Sequence, residues 1–394
     1  LSATAPIGSA ERIGELDVLR GFALLGVFIV HFVGASFYML SVDPAWQEAV
    51  RAQPLDRTAM ILSDFFFLDK ANTLFATLFG MGFWVMMERL KARGAPFQMI
   101  YLRRLLILLG IGLINVFLIF PGDVLHMYAS LGLLLLLLQS TPKSFKLVVG
   151  LGLAIGGYWL GDILAPNAAD GGKFFETVQA AAFERGEYWN WVIMTAPAFF
   201  VREFVHGAFF GWALYLFGRF LIGAWIMQQG WMERLSELRP TIRRLAWLVL
   251  PLGLGIEAVS VLIYEEVLAV PEAVGEWLHL FAVPLLALGY ALALILLFHS
   301  RRKWIALAFA PVGRMALTAY MLHGAIFTAI YMPFGLGMRG IMGPAISLAF
   351  VIALYAVMTI FCHWWLARYR YGPLEYLWRW ATYGERPKFA LAPA

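Results

Sequence analysis

Residues 277–303 read WLHLFAVPLLALGYALALILLFHSRRK. The run 277–298 holds no Lys, Arg, Asp or Glu and is followed by Arg301, Arg302 and Lys303. Ahead of it, residues 265–276 hold Glu265, Glu266, Glu272 and Glu276 and no Lys or Arg. A helix needs roughly 20 apolar residues to cross the hydrocarbon core of a bilayer. Lys and Arg collect in the loops on the cytoplasmic side. The stretch therefore predicts a spanning helix that runs from an acidic outer loop to a basic inner one.

The same alternation extends along the chain. Apolar runs fall at 18–40, 71–87, 104–120, 124–139, 147–165, 204–227, 245–264, 277–298, 304–333 and 341–367. The third and fourth are separated by Pro121-Gly122-Asp123, a tight helical hairpin. Twenty of the thirty Lys and Arg residues fall on one alternate set of loops, including Arg12, Arg89, Arg104, Lys143, Arg239 and Arg379. The expected fold is an all-α polytopic membrane bundle of about ten spans, with both termini cytoplasmic. Residues 41–70 and 166–203, on the outer side, are expected to form interfacial helices over the bundle mouth. Composition agrees: 61% of residues are hydrophobic and 14% charged, against about 25% charged in a soluble domain.

These features also exclude functions. The +5 net charge comes mostly from loop Lys and Arg that no base-stacking aromatics accompany, so nucleic acid is not an expected partner. A lone cysteine, Cys362, excludes an intrachain disulfide and a multi-cysteine metal or iron–sulfur site. No zinc, P-loop, nucleophile-elbow or haem-attachment motif occurs, and no metal is expected. The bilayer is the expected surrounding, with a homo-oligomer or a membrane-protein partner as possible company. The first run carries Arg20 and lacks a small-x-small cleavage pattern, so it does not read as a signal peptide. The sequence opens at Leu1 rather than Met, and residues are expected ahead of it.

Ionisable side chains inside spans mark function, or else snorkel or pair with a neighbour. Arg20 and His31 lie eleven residues apart on the first run, about 20° from alignment and roughly 16 Å apart along the axis. An arginine near the cytoplasmic mouth suits a phosphate or carboxylate, and an imidazole deeper in suits proton transfer. Asp123 and His126 flank the outer hairpin, where the carboxylate either caps a helix or orients the ring. Arg314, Thr318, Tyr320 and His323 lie on the ninth run as candidate binding groups. Arg202, Glu203 and His206 read as an interfacial ion-pair cluster, and Arg219 needs a partner in its span. Lys70 and Asn72 open the second run and offer polar groups to an outer vestibule. His279, His299 and His363 read as interface residues near span ends.

Several motifs resemble the YeiB-like bacterial membrane proteins. They are Glu15-Leu16-Asp17-Val18-Leu19-Arg20-Gly21-Phe22, Leu74-Phe75-Ala76-Thr77-Leu78-Phe79-Gly80, Gly122-Asp123-Val124-Leu125, Gly313-Arg314-Met315-Ala316-Leu317-Thr318 and Tyr371-Gly372-Pro373-Leu374-Glu375-Tyr376. The N-terminal half of that family is similar to the transmembrane acyltransferase superfamily. The resemblance implies one continuous membrane domain in the bacterial inner membrane, with an acyltransferase-like five-helix half at 1–165 and a YeiB-like half at 166–394. It implies transfer of an acyl group from acyl-CoA to a hydroxyl or amine at the outer face. The O-acyltransferase pattern of an Arg and a His eleven apart lands on Arg20 and His31. The family usually has Asn at the position of His31 and Gln at that of His323, and the histidine of heparan-type enzymes is missing from the second run.

The enzymatic expectation gives His31, Asp123 and His126 catalytic roles. Arg20, Arg314, Thr318, Tyr320 and His323 bind substrate or donor, in one hollow shared by Arg20 and His31. Two alternatives stand beside it. One is a transporter or flippase of a small anionic metabolite or lipid, weakly disfavoured by the lack of an internal repeat. The other is a non-catalytic subunit of a larger membrane assembly.

Overall fold

The computed structural model describes residues 13–35, 40 and 43–391; Arg12 and the last part of the first run lie outside the described residues. The helices are α1 (Gly14–Val33), α2 (Pro44–Arg51), α3 (Pro54–Phe66), α4 (Lys70–Ala92), α5 (Phe97–Ile114), α6 (Leu125–Leu137), α7 (Lys143–Leu164), α8 (Ala168–Arg185) and α9 (Tyr188–Phe200). They continue with α10 (Ala208–Met227), α11 (Leu235–Tyr264), α12 (Glu272–Phe298), α13 (Lys303–Leu307), α14 (Ala310–Arg314), α15 (Ala316–Tyr331), α16 (Pro344–Leu366) and α17 (Pro373–Tyr383). Among the described residues there is no β-strand, only one isolated bridge, Tyr369 to Ala390. The protein is an all-α polytopic membrane bundle.

Each expected apolar run is largely helical over its described residues, but the runs are not equivalent. Among the described residues, seven helices are long and apolar enough to cross a bilayer: α1, α5 with its extension, α7, α10, α11, α12 and α16. The run 304–333, expected as one span, is instead broken: the segment up to Arg314 and α15 meet at 78°. Counted as one, they make an eighth crossing. α4 is 23 residues long but opens on polar groups, and α6 has only 13 residues.

The reason for the break lies outside the run. A helix start leaves backbone N–H groups without partners. Glu375, on α17, accepts the N–H of Leu317 at 2.7 Å and of Thr318 at 3.0 Å, and the Thr318 hydroxyl at 2.6 Å. A carboxylate from elsewhere in the fold thus caps α15 and makes a new helix start tolerable inside an apolar run.

α1 is the central helix, packed against α4, α12, α14, α15 and α16. Its crossing with α14 is very close: a Cβ added to Gly313 would lie 1.8 Å from the Asp17 carbonyl oxygen. Without a hydrophobic drive between helices in lipid, such small-residue contacts let backbones approach and gain dispersion energy. Packing also crosses residue 165 repeatedly, since α10 packs on α7 and α4, and α17 on α5.

The basic loops gather at one end. His299 Nε2 meets Glu15 at 2.8 Å, Arg239 Nη2 donates to the His299 carbonyl at 3.3 Å, and Trp378 Nε1 donates to the Arg104 carbonyl at 3.0 Å. The starts of α1, α5 and α11, the end of α12, and α17 therefore share this end. At the other, Arg57 on α3 pairs with Glu265 beyond α11. The two expected outer segments are helical as α2–α3 and α8–α9.

Candidate active site: two chambers that share a wall

Two adjoining hollows among the described residues bring the candidate groups together. The one nearer the basic end has a volume of about 290 Å³ and is lined by Arg20, Arg89, Arg104, Arg314 and Arg379, with Asp17 and Glu375. Arg20 Nη1 contacts Asp17 Oδ1 at 2.9 Å and the Gly313 carbonyl at 3.4 Å. The Arg104 guanidinium lies 3.5 Å from the centre of the Trp378 ring and feels the charges of Arg379 and Arg20. Five guanidinium groups against two carboxylates favour an anionic guest such as a phosphate. Loss of solvent pushes the Glu375 carboxyl above its usual range, while the hydrogen bonds from Thr318 and Leu317 pull it back.

The second hollow has a volume of about 530 Å³. Its polar wall includes His31, Asp69, Asn72, Asp123, His126, Gln179, Arg202, Glu203 and Tyr320. Gln179 is on α8 and Phe199 on α9, so the outer helical segment closes over this chamber.

Arg20 and His31 do project from one face of α1, but they do not share a hollow. Arg20 faces the inner chamber and His31 the outer. Phe75 and Leu125 with Tyr128 and Tyr320 line both chambers and form the wall between them. The expected single hollow is corrected to two because side chains from α4, α6 and α15 fill the level between the two groups. Tyr128 is pinned by donating to Asn72 Oδ1 at 3.1 Å, and Tyr320 accepts the Val124 N–H at 3.3 Å.

The outer hairpin supplies a positioned imidazole. Asp123 Oδ2 lies 3.1 Å from His126 Nδ1 and accepts the His126 backbone N–H at 3.2 Å. Asp123 Oδ1 accepts from Asn115 Nδ2 at 2.7 Å. Asn115 opens a π-helical turn, 115–119, that ends α5; such turns occur often at functional sites. All three residues are buried. His126 Nε2 has no hydrogen-bond partner among the described residues. His126 lines the hollow, and a carboxylate on one ring nitrogen with a buried, unpartnered second nitrogen is an arrangement suited to a general base once an acceptor reaches it.

The other expected residues are placed as follows. His31 Nδ1 lies 3.2 Å from His323 Nε2. His323 is fully buried behind it, stacked on Phe28 with ring centres 4.2 Å apart. The Thr318 hydroxyl is engaged by Glu375 in the α15 cap. Arg314 is on the inner-chamber wall and Tyr320 on the shared one. Arg202 pairs with Glu203 through Nε at 2.7 Å.

Sequence reasoning missed a buried ion cluster. Lys70, fully buried, pairs with Glu257 of α11 and donates to the Asp64 carbonyl at 2.7 Å. His279 is not an interface residue as expected: it lies between Glu257 and Asp69. Arg219 donates to Thr73 Oγ1 at 2.8 Å and to the Tyr215 carbonyl at 2.9 Å. Glu257 had a signal, as an acid inside the apolar run 245–264.

The chain is 30% identical to the uncharacterized protein YxaH of Bacillus subtilis, over 97% of both chains. It is 29% identical to the uncharacterized protein YeiB of Escherichia coli, over 94% of this chain and 96% of that one. The chain belongs to the YeiB-like family. A third relative, an uncharacterized 39.9 kDa protein of Bacillus acidopullulyticus, is 29% identical over 97% of this chain. Residues 226–385 match the family model described as a protein of unknown function, DUF418. In this YeiB-like chain the match runs from the end of α10 through α17. It therefore includes Glu257, His279, Arg314 and Glu375 but not the Asp123–His126 hairpin.

Proposed function

We propose that this YeiB-like protein is a membrane acyltransferase that works across the shared wall. An acyl-CoA is held by its phosphates in the arginine-lined inner chamber. The thioester reaches the wall formed by Phe75, Leu125, Tyr128 and Tyr320. A hydroxyl or amine acceptor occupies the outer chamber. His126 Nε2 takes the acceptor's proton as the acceptor attacks the thioester carbon. The carbon–sulfur bond breaks, and the proton passes from His126 to the departing thiolate, leaving an acyl ester or amide and free CoA. Asp123 fixes the ring and stabilises its charged form, and Asn115 fixes Asp123. His31, backed by His323, polarises the thioester carbonyl from the same chamber. The basic end faces the cytoplasm of a bacterial inner membrane, in line with the loop charges.

The observation that carries this reading is the adjacency of an anion-binding hollow and a hollow with a carboxylate-oriented imidazole, divided by one layer of side chains. The test uses detergent-purified protein and radiolabelled acetyl-CoA with membrane lipid and polysaccharide extracts as acceptors. Transfer is expected in the wild type, with a loss of about 10²- to 10⁴-fold in His126→Ala. Arg20→Ala and Arg314→Ala should weaken acyl-CoA binding with His126 intact. Full transfer by His126→Ala removes the proposed base.

A transport pathway is the second reading, favoured by the same two adjoining chambers, one of them arginine-lined. Anion uptake into liposomes that needs Arg314 and no acyl-CoA would select it.

A further inference from the structure

The ion cluster beside the outer chamber contains a proton that its geometry requires. His279 Nδ1 lies 3.0 and 3.2 Å from the two Glu257 oxygens, and Nε2 lies 3.3 Å from Asp69 Oδ2. Carboxylate oxygens only accept hydrogen bonds, and a neutral imidazole donates from one nitrogen only. Both contacts are hydrogen bonds only when an additional proton sits on the ring or on one carboxyl. We propose that Asp69, His279 and Glu257 form a binding site for one exchangeable proton, and that this proton latches the loop before α4 to α12 at the outer-chamber wall.

The groups around the site come from every neighbouring helix. Lys70 on α4 pairs with Glu257. Arg219 of α10 and the hydroxyls of Tyr158 (α7) and Tyr215 (α10) act on Asp69. Tyr264 of α11 and Tyr290 of α12 face Glu257, and Glu272 and Glu276 of α12 act on Tyr264. Asp64 of α3 acts on Lys70. With Lys70, Arg219, Asp69 and Glu257 charged, the cluster is neutral without the extra proton and carries one positive charge with it.

The contact that yields when the proton leaves is the one to Asp69. Its side chain is 24% exposed, against 2% for Glu257, and the contact to Asp69 is the longer. Asp69 also holds a backbone φ of +61°, unfavourable for a residue with a Cβ. Such strain persists only where surrounding contacts impose it. Release lets the backbone relax and frees the carboxylate to turn into the outer chamber, whose wall Asp69 already forms. The proton thereby controls both the order of residues 67–70 and the charge presented to an outer-chamber guest.

Hydrogen–deuterium exchange of the full chain in detergent tests this without acyl-CoA or any acceptor. The peptide covering 64–74 is compared at about pH 6 and about pH 10.5, one below and the other far above the titration of an ordinary histidine, with intrinsic exchange rates corrected. Wild type should lose roughly tenfold in protection at the higher pH, while peptide 213–224 of α10 stays unchanged. Asp69→Asn should keep its protection at both pH values, because the amide N–H donates to the neutral ring and Asn adopts a positive φ as readily as Asp does. Equal wild-type protection at both pH values overturns the latch and needs no variant. An Asp69→Asn protein that folds yet loses protection as wild type does also overturns it.

Discussion

The Lys70–Glu257 pair gives the most direct test of how the bundle is held. Lys70 is fully buried and the Glu257 side chain is 2% exposed. Breaking a buried pair strands the remaining charge, at a cost of about 3–5 kcal/mol. In Lys70→Met, Glu257 still faces His279 at 3.0 Å, so the low end applies, about 3 kcal/mol. In Glu257→Gln, Lys70 keeps two neutral acceptors, the Gln oxygen and the Asp64 carbonyl at 2.7 Å, but loses its anion, so the loss should be similar, about 3 kcal/mol. Scaled by chain length, 1 kcal/mol moves the melting temperature by about 1 °C, so each single variant should melt roughly 3 °C lower. The double variant removes both charges and keeps a Gln–His279 hydrogen bond. It should lie within about 1 °C of wild type, because replacing a whole buried pair is close to neutral. The assay is thermal unfolding in a fixed detergent, followed by tryptophan fluorescence. If the double variant loses the sum of the singles or more, the charges do not act as a pair and the assignment of Lys70 to Glu257 is wrong.

Two further expectations concern the broken span. Glu375→Ala should lower stability by about 2 kcal/mol, since Leu317 and Thr318 lose their cap, whereas Glu375→Gln keeps one acceptor oxygen and should lose little. Because the folded-state Glu375 carboxyl titrates above its usual range, its contribution is fully present below about pH 4.5 and declines as pH rises through the folded-state value; melting profiles across pH should show that decline in wild type and not in Glu375→Gln. Gly313→Val should separate α14 from α1, as even a Cβ would lie 1.8 Å from the Asp17 carbonyl. Loss of the folded peak in size-exclusion chromatography is the expected result, and a well-folded variant would contradict the close crossing.

Much of the fold was legible because transfer into lipid is a local, residue-by-residue cost. The acidic 265–276 loop and basic 299–303 loop fix the ends of α12 without reference to any other helix. Helical phase likewise put Arg20 and His31 on one face, and a spacing of three put Asp123 beside His126. The break at Met315 was hidden because its cause, the Glu375 cap, lies 57 residues from Thr318. The division into two chambers was hidden for the same reason: the wall is built from α4, α6 and α15, and no periodicity in α1 reports it.

The ion cluster shows where sequence reasoning stops and how far it extends. An in-span charge implies a partner, since an isolated one in hydrocarbon is too costly to keep. It does not say which residue that partner is, because Lys70 and Glu257 are 187 positions apart. Depth narrows the choice. Lys70 begins α4 at the end away from the basic loops, and Glu257 lies seven residues before the close of α11 at Tyr264, roughly 10 Å below the same surface. His279 lies seven residues into α12 from Glu272, at a matching depth. Three ionisable groups at one level on three different spans can satisfy one another only if those spans are neighbours. Charge matching by depth therefore points to α4, α11 and α12 as a packed trio, and α12 does pack on both α11 and α4.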